Sequence, residues 1–286
     1  MSTLAIRALR VDLRTPDGPR PIVAGIDLAL ERGRIHGLAG ESGSGKTMTA
    51  LAVLGLLPSS MTASGSIVLT SGGVETELVG ASTRVLSAVR GRRIAMVFQD
   101  PSTSLHPQLS VGMQLTDHLR HHLGVDRREA RARAIALLER VSVPDPAGAL
   151  AKYPHQFSGG QRQRIAVAVA LACGPDVLLA DEPTTALDVT VQAGVLQLLR
   201  ELVDDTGLSV LLVTHDLGVM SAVADEVTVM RAGAVVESAP RGELFAAPQH
   251  AYTKSLLAAL PGSTLEQPPT DLLTHLRNAA AERETE

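Results

Sequence analysis

Eight residues, Gly40-Glu41-Ser42-Gly43-Ser44-Gly45-Lys46-Thr47, follow the spacing G-x-x-x-x-G-K-[ST]. Glycines at those places let the backbone curl so that successive N–H groups point inward at phosphate oxygens. The lysine sets a point charge on the β- and γ-phosphates, and the next hydroxyl ligates Mg²⁺. That chemistry is the grip of a nucleoside triphosphate with its magnesium. A second group is Val177-Leu178-Leu179-Ala180-Asp181-Glu182, four apolar residues running into two acids. Acids at the end of a buried parallel strand stand where such sheets bind ligands. Asp181 then holds Mg²⁺ through water, and Glu182 polarises a water against the γ-phosphate as general base. The bland alternative makes both acids caps of a helix that starts near Thr185. The third group, Ser158-Gly159-Gly160-Gln161, sits before a helix, either as an ordinary N-cap or as a second anion-binding end. Two phosphate loops of one chain cannot both serve one γ-phosphate, so the pair implies a dimer that shares its nucleotides.

Elements must carry these groups to one place. Residues 35–39 read as a buried strand entering the phosphate loop, and 48–57 as a helix leaving it. Upstream, 9–13 and 22–30 read as strands separated by the turn Thr15-Pro16-Asp17-Gly18-Pro19. A second β-rich stretch, 65–79, turns at Ser71-Gly72-Gly73, and 93–98 is a further strand ending at Gln99. Residues 101–174 change character, with helices over 111–123, 127–141 and 161–173. The α/β alternation then resumes, with strands at 177–180, 209–213, 227–230 and 234–236 and helices at 189–204 and 217–224. Such alternation implies a mostly parallel sheet covered on both faces. A short helix at 252–260 precedes a polar tail.

Composition bounds the rest. With 45% hydrophobic and only 2% aromatic residues, the core must be Leu, Val, Ile and Ala. A net charge of −4 argues against nucleic acid as a partner. The single cysteine, Cys173, excludes an intrachain disulfide and fits a reducing, cytoplasmic setting. No signal peptide is visible, and no apolar run approaches the ~20 residues that span a bilayer. His118, His121 and His122 share one helical face, and with no placed carboxylate they read as a solvated face rather than a metal site.

These motifs, in this order, resemble those of the ATP-binding cassette (ABC) ATPases over residues 1 to about 238. Ser158-Gly159-Gly160-Gln161 matches the family signature. Val97-Phe98-Gln99-Asp100-Pro101 resembles the Q-loop, which implies that Gln99 contacts Mg²⁺ and senses the γ-phosphate. Ala186-Leu187-Asp188 resembles the D-loop, with Asp188 at a dimer interface, and Val213-Thr214-His215-Asp216 the switch segment, with His215 on the γ-phosphate. The resemblance implies an α/β fold. Its P-loop NTPase core, 1–100 with 175–238, is a mostly parallel sheet with an N-terminal antiparallel β subdomain. A helical signature subdomain, 101–174, is inserted, and 239–286 forms a C-terminal extension and tail. It further implies that two cassettes sandwich two ATP and Mg²⁺ head to tail, so that the phosphate loop of one faces the signature of the other. Lys46, Glu182 and His215 are then catalytic, and Thr47, Gln99 and Asp181 hold the metal.

A narrower resemblance is to the importers of oligopeptides, dipeptides and nickel. It rests on Phe98-Gln99-Asp100-Pro101-Ser102-Thr103-Ser104-Leu105-His106-Pro107, on Tyr153-Pro154-His155-Gln156-Phe157, and on Leu244-Phe245-Ala246-Ala247-Pro248-Gln249-His250-Ala251-Tyr252-Thr253. It implies peptide import, or nickel and metal-chelate import as the alternative. Expected partners are two membrane permeases, a second homologous ATPase and, indirectly, an external binding protein, at the cytoplasmic face of the membrane. The rival is a soluble ABC clamp without a transport role, which usually carries two cassettes or a long coiled coil. Two departures stand out: Leu13 occupies the position where the family stacks an aromatic on adenine, and the tail lacks the cysteines of a family iron–sulfur cluster.

Overall fold

The structure, a computed structural model, describes residues 2–99, 104–184 and 187–259. Among these residues ten strands form two sheets. Strands β1 (Ser2–Thr15), β2 (Gly18–Glu31), β4 (Met61–Ser71) and β5 (Val74–Glu77) make an antiparallel sheet in the order β2-β1-β4-β5. The β4–β5 hairpin turns at Gly72 and Gly73, both with positive φ, as a two-residue turn between twisted strands requires. The second sheet runs β10-β9-β3-β8-β7-β6. Its strands β3 (Ile35–Ala39), β6 (Ile94–Val97), β7 (Val177–Asp181), β8 (Ser209–Thr214) and β9 (Glu226–Arg231) are parallel, and β10 (Ala234–Pro240) is an antiparallel edge.

The central strands β3, β7 and β8 are buried throughout, which is why they read as continuous apolar runs rather than alternations. Their side chains still divide by face. Val177, Leu179, Leu211 and Val213 pack toward the antiparallel sheet and helix α1 (Lys46–Val53). Leu178, Ala180, Val210 and Leu212 pack into the core shared with the helical block. That block holds α3 (Val111–Leu123), α4 (Arg127–Arg140), α5 (Pro146–Ala149) and α6 (Gly159–Leu171). Its apolar face comes from Leu115, Leu119, Ala130, Ala134, Leu138, Ile165 and Ala168, all fully buried. Helices α7 (Val189–Thr206) and α8 (Leu217–Val223) complete the α/β core, and α9 (Arg241–Ala246) and α10 (Ala251–Ala258) follow it. Among the described residues no helix is long and apolar enough to cross a membrane.

Several expectations are corrected. The helix expected over 48–57 is shorter: Gly55 turns left-handed, and Leu56 and Gly55 donate back to the carbonyls of Leu51 and Ala52, closing the helix. The strands flanking the first turn are longer than 9–13 and 22–30, because each pairs along its whole length. Three short helices went unread: α5, α9 and α2 (Thr83–Val89), which Ser82 caps. Each offers too few residues for a helical period to emerge. The histidine face is only partly solvated, since His118 and His122 are half-buried and pack where Gly91 leaves no side chain. Among the described residues no group of three or more His, Cys, Asp or Glu side chains is placed to hold a metal ion.

Candidate functional site

Every sheet strand that carries a motif ends at the same edge. β3 runs into the phosphate loop, β6 into Gln99, β7 into Asp181 and Glu182, and β8 into His215. Their parallel order β3-β8-β7-β6 sets the four groups side by side around a cavity of about 650 Å³. The cavity is lined by Glu41, Ser42, Gly43, Gly45, Lys46, Thr47, Gln99, Glu182 and His215, with Ile22, Met48 and Leu256 as its further walls.

The loop's shape is dictated locally. Gly40 and Gly45 have φ of 147° and 103°, and a Cβ on either would strike a backbone oxygen, Met230 O or Ile22 O. Only glycine fits both places. Helix α1 starts after Gly45, which gives it no side-chain cap, and Gly45, Lys46 and Thr47 of this helix end line the cavity. Lys46 is buried, and its ammonium donates to Gly40 O at 2.6 Å, Glu41 O at 2.9 Å and Ser44 Oγ at 3.4 Å. Burial pulls its pKa below the usual lysine value, against the opposing pull of Glu182, Asp181 and Glu41.

The Thr47 hydroxyl donates to Asp181 Oδ1 at 3.2 Å. Burial raises the Asp181 pKa above the usual carboxylate range, and the hydrogen bond from Thr47 and the charge of Lys46 only partly offset it. A buried carboxylate beside a hydroxyl oxygen is the donor set a hard, oxygen-seeking cation takes. Glu182 breaks the line of β7: its N–H still bonds Val213 O at 2.8 Å, but its φ of 45° is left-handed. That conformation is uncommon outside glycine and is strained. It turns the carboxylate sideways, where Oε2 accepts from Gln99 Nε2 at 2.8 Å and Oε1 meets His215 Nδ1 at 2.9 Å. His215 itself stands between the end of β8 and the Asp216 cap of α8. The reading of Asp181 and Glu182 as helix caps fails, because α7 starts at Val189 and is capped by Asp188.

Ser158, Gly159, Gly160 and Gln161 lie elsewhere and do not line the cavity. Ser158 Oγ accepts from Gln161 N–H at 3.3 Å, and Gln161 Oε1 accepts from Ser158 N–H at 3.1 Å. This is a reciprocal capping box that starts α6. Gly160 faces Val191 and Gly159 lies by Leu187, so the signature turn abuts the start of α7, where Asp188 accepts from Val191 N–H at 3.0 Å. Asp100–Thr103, Thr185–Ala186 and the tail from residue 260 lie outside the described residues. The Q-loop, D-loop and importer-pattern residues among them therefore have no described placement.

The sequence does not mark Ile22, Met48, Tyr252 or Leu256 as residues of the site or its surroundings. Leu13, expected at the base, is not among the cavity's lining residues, whereas Ile22 is. Ile22 gave no signal, being one apolar residue of an alternating strand. Tyr252 did, inside the segment 244–253, but nothing in the sequence said what it touches.

A strand that enters a glycine loop, a lysine that opens the following helix, and an acid pair on the strand next but one define a P-loop nucleoside triphosphatase core. Within that class the chain belongs to the ABC transporter family, whose profile matches residues 23–185. It is 45% identical over 260 residues to the dipeptide transport ATP-binding protein DppD of Bacillus subtilis, covering 90% of this chain and 76% of that one. To the oligopeptide transport ATP-binding protein AppD of the same organism it is 44% identical over 264 residues, covering 91% and 79%. Among solved structures it resembles the dimeric bacterial ABC transporter cassette MJ0796, with a TM-score of 0.73, 25% identity and coverage of 83% and 98%. The same cassette in a post-hydrolysis state with ADP and Pi gives a TM-score of 0.71 at 26% identity, with the same coverage. The chain is an ABC ATPase and binds ATP.

Proposed function

We propose that this chain is the motor subunit of a peptide importer, working at the cytoplasmic face of the membrane with two permeases, a second homologous cassette and, through the permeases, an external binding protein. The observation that supports the reading is that the nucleotide motifs fall in two separate places on the chain. The phosphate loop, Gln99, Glu182 and His215 line one cavity, and Asp181 is bonded to Thr47 of that lining, while Ser158–Gln161 and Asp188 do not line it. A head-to-tail pair of cassettes completes both sites. The names of DppD and AppD support peptides over metal chelates as cargo.

In this reading the N–H groups of residues 43–47 and the Lys46 ammonium hold the phosphates. Thr47 and Asp181, with Gln99 beside them, would hold Mg²⁺, which neutralises charge on the β- and γ-phosphates. Glu182 accepts a proton from the attacking water, whose oxygen bonds to the γ-phosphorus as the bond to ADP breaks. His215 and Gln99 orient that carboxylate. Ser158–Gln161 act on the partner's nucleotide. ATP closes the pair because it touches both chains, and loss of the γ-phosphate lets the pair open. Exposed Met113 and Tyr153, in the first turn of α3 and next to the segment 150–152 to which it is bonded, suit the apolar docking element of a permease.

The test is reconstitution of the chain with its permeases, the second cassette and the binding protein in vesicles. Uptake of labelled di- and oligopeptides that stops with Lys46→Ala is the expected result. ATP-driven uptake of nickel chelates and not peptides, or no membrane partner at all, overturns it.

A further inference from the structure

Helix α10 lies beyond the core motifs, yet it reaches the phosphate loop from the far end of the chain. The Tyr252 hydroxyl accepts from the N–H of Glu41 at 3.1 Å. The same peptide group presents the Gly40 carbonyl, which accepts from the Lys46 ammonium at 2.6 Å. A peptide is planar and trans, so its N–H and C=O point in opposite directions, and fixing one fixes the other. One plane is thus held from two sides, by a phenol on one edge and by the loop lysine on the other.

The phenol stands on a rigid post. Tyr252 is buried, and the Arg231 guanidinium lies 4.8 Å from its ring centre. Its own N–H donates to His250 Nδ1 at 3.1 Å. The turn before it is tied to β10, because the Glu237 carboxylate accepts from Gln249 N–H at 2.7 Å and His250 N–H at 3.0 Å. Burial raises the Tyr252 pKa, so the ring stays a neutral phenol at physiological pH. One turn further along α10, Leu256 lines the cavity itself.

We propose that Tyr252 is a positioning residue which sets the reach of Lys46 by fixing the Gly40–Glu41 peptide, so that the C-terminal extension is part of the phosphate grip. A lysine stem has four rotatable bonds and carries a mobile ammonium. The anchored carbonyl gives that ammonium a fixed support while it turns toward phosphate oxygens. Without the phenol the peptide can rotate, and the lysine loses its support. The inference rests on the cavity being the ATP site.

The experiment is equilibrium ATP binding to the full chain, wild type against Tyr252→Phe, Lys46→Ala and the double variant, with melting temperatures alongside. Tyr252→Phe keeps the ring and removes only the hydroxyl, with its bonds to the Glu41 N–H and side chain. The expected result is a roughly 3–10-fold rise in Kd, the range of one hydrogen bond. Its melting temperature stays unchanged, and the loss shrinks below about twofold in the Lys46→Ala background, as coupled residues require. An unchanged Kd, or an equal loss with and without Lys46, overturns the proposal. If Tyr252→Phe also lowers the melting temperature, ¹⁹F spectra decide. The chain has two tyrosines, so 3-fluorotyrosine in a Tyr153→Phe background reports Tyr252 alone. A resonance that moves with ATP, and stays still with Lys46→Ala, supports the coupling; one indifferent to ATP overturns it. Failure of the wild type to bind ATP, or binding that ignores Lys46, sinks the site itself. Loss of the tyrosine effect alone leaves the site standing.

Discussion

At the start of α1, Gly45 takes a φ of 103° and no side chain caps the helix. At the start of α6, Ser158 is extended, with a φ of −63°, and its hydroxyl and the Gln161 amide satisfy each other's N–H groups. Both are serine- and glycine-bearing helix starts, and both match nucleotide motifs. The first takes a left-handed glycine conformation and leaves its helix end uncapped, with a buried lysine parked on the loop's own carbonyls. The second is a finished helix end that needs nothing. In the proposed sandwich this difference has a reason: the loop that holds its own chain's phosphates is open to a ligand, and the loop assigned to the partner's nucleotide is self-satisfied in the single chain.

The largest effect that bears on this contrast is expected at Glu182. Glu182→Gln should lower ATP turnover by at least about 100-fold, the range of a general base, while the ATP Kd stays within about threefold. Phosphate release together with equilibrium binding measures both, and turnover within tenfold of wild type would remove Glu182 as the base. Next comes Ser158→Ala, which should destabilise the chain by about 1 kcal/mol through loss of the cap. It should leave the isolated chain's own ATP affinity unchanged within twofold. A clear loss of that affinity would erase the distinction between the two loops.

The smallest effect is a gain. Burial holds the Asp181 pKa above its unfolded value, so the folded chain binds that proton more readily. The stability this brings is fully present below the unfolded pKa and is lost as pH rises through the folded one. At pH 8 without metal the buried charge is therefore a net burden. Asp181→Asn should raise the metal-free melting temperature there, by up to about 1 kcal/mol of stability. The gain should fade as pH falls toward the ordinary carboxylate range. A variant that melts lower than wild type at pH 8 would show that the carboxylate's bond to Thr47 outweighs its burial.

The legible parts of the site are those whose meaning is local. The spacing of Gly40, Gly45, Lys46 and Thr47 encodes a backbone curl, and the run from Val177 to Glu182 encodes a buried strand ending in acids. Parallel pairing then brings Gln99 and His215 to the same edge, because alternating strands and helices admit few other arrangements. What stayed hidden depends on contacts between distant segments. Tyr252 meets Glu41 across 211 residues, and no pattern around either announces it. The short helices α2, α5 and α9 are hidden for the opposite reason, being too brief for any period. Glu182's left-handed turn is invisible too, since glutamate gives no sign of adopting a glycine conformation.

The strand order β9-β3-β8 also sets a timetable for the chain's birth. β3, which leads into the phosphate loop, has no sheet neighbour until Ser209–Thr214 and Glu226–Arg231 are made. At the usual pace of translation that interval lasts roughly 10–35 s. During it the loop's sequence is complete but the strand that presents it has nothing to pair with. A nascent chain halted before residue 209 should therefore carry the whole phosphate motif and retain no ATP. Nucleotide capture is thus expected late in this protein's synthesis, although its motif is among the first to emerge.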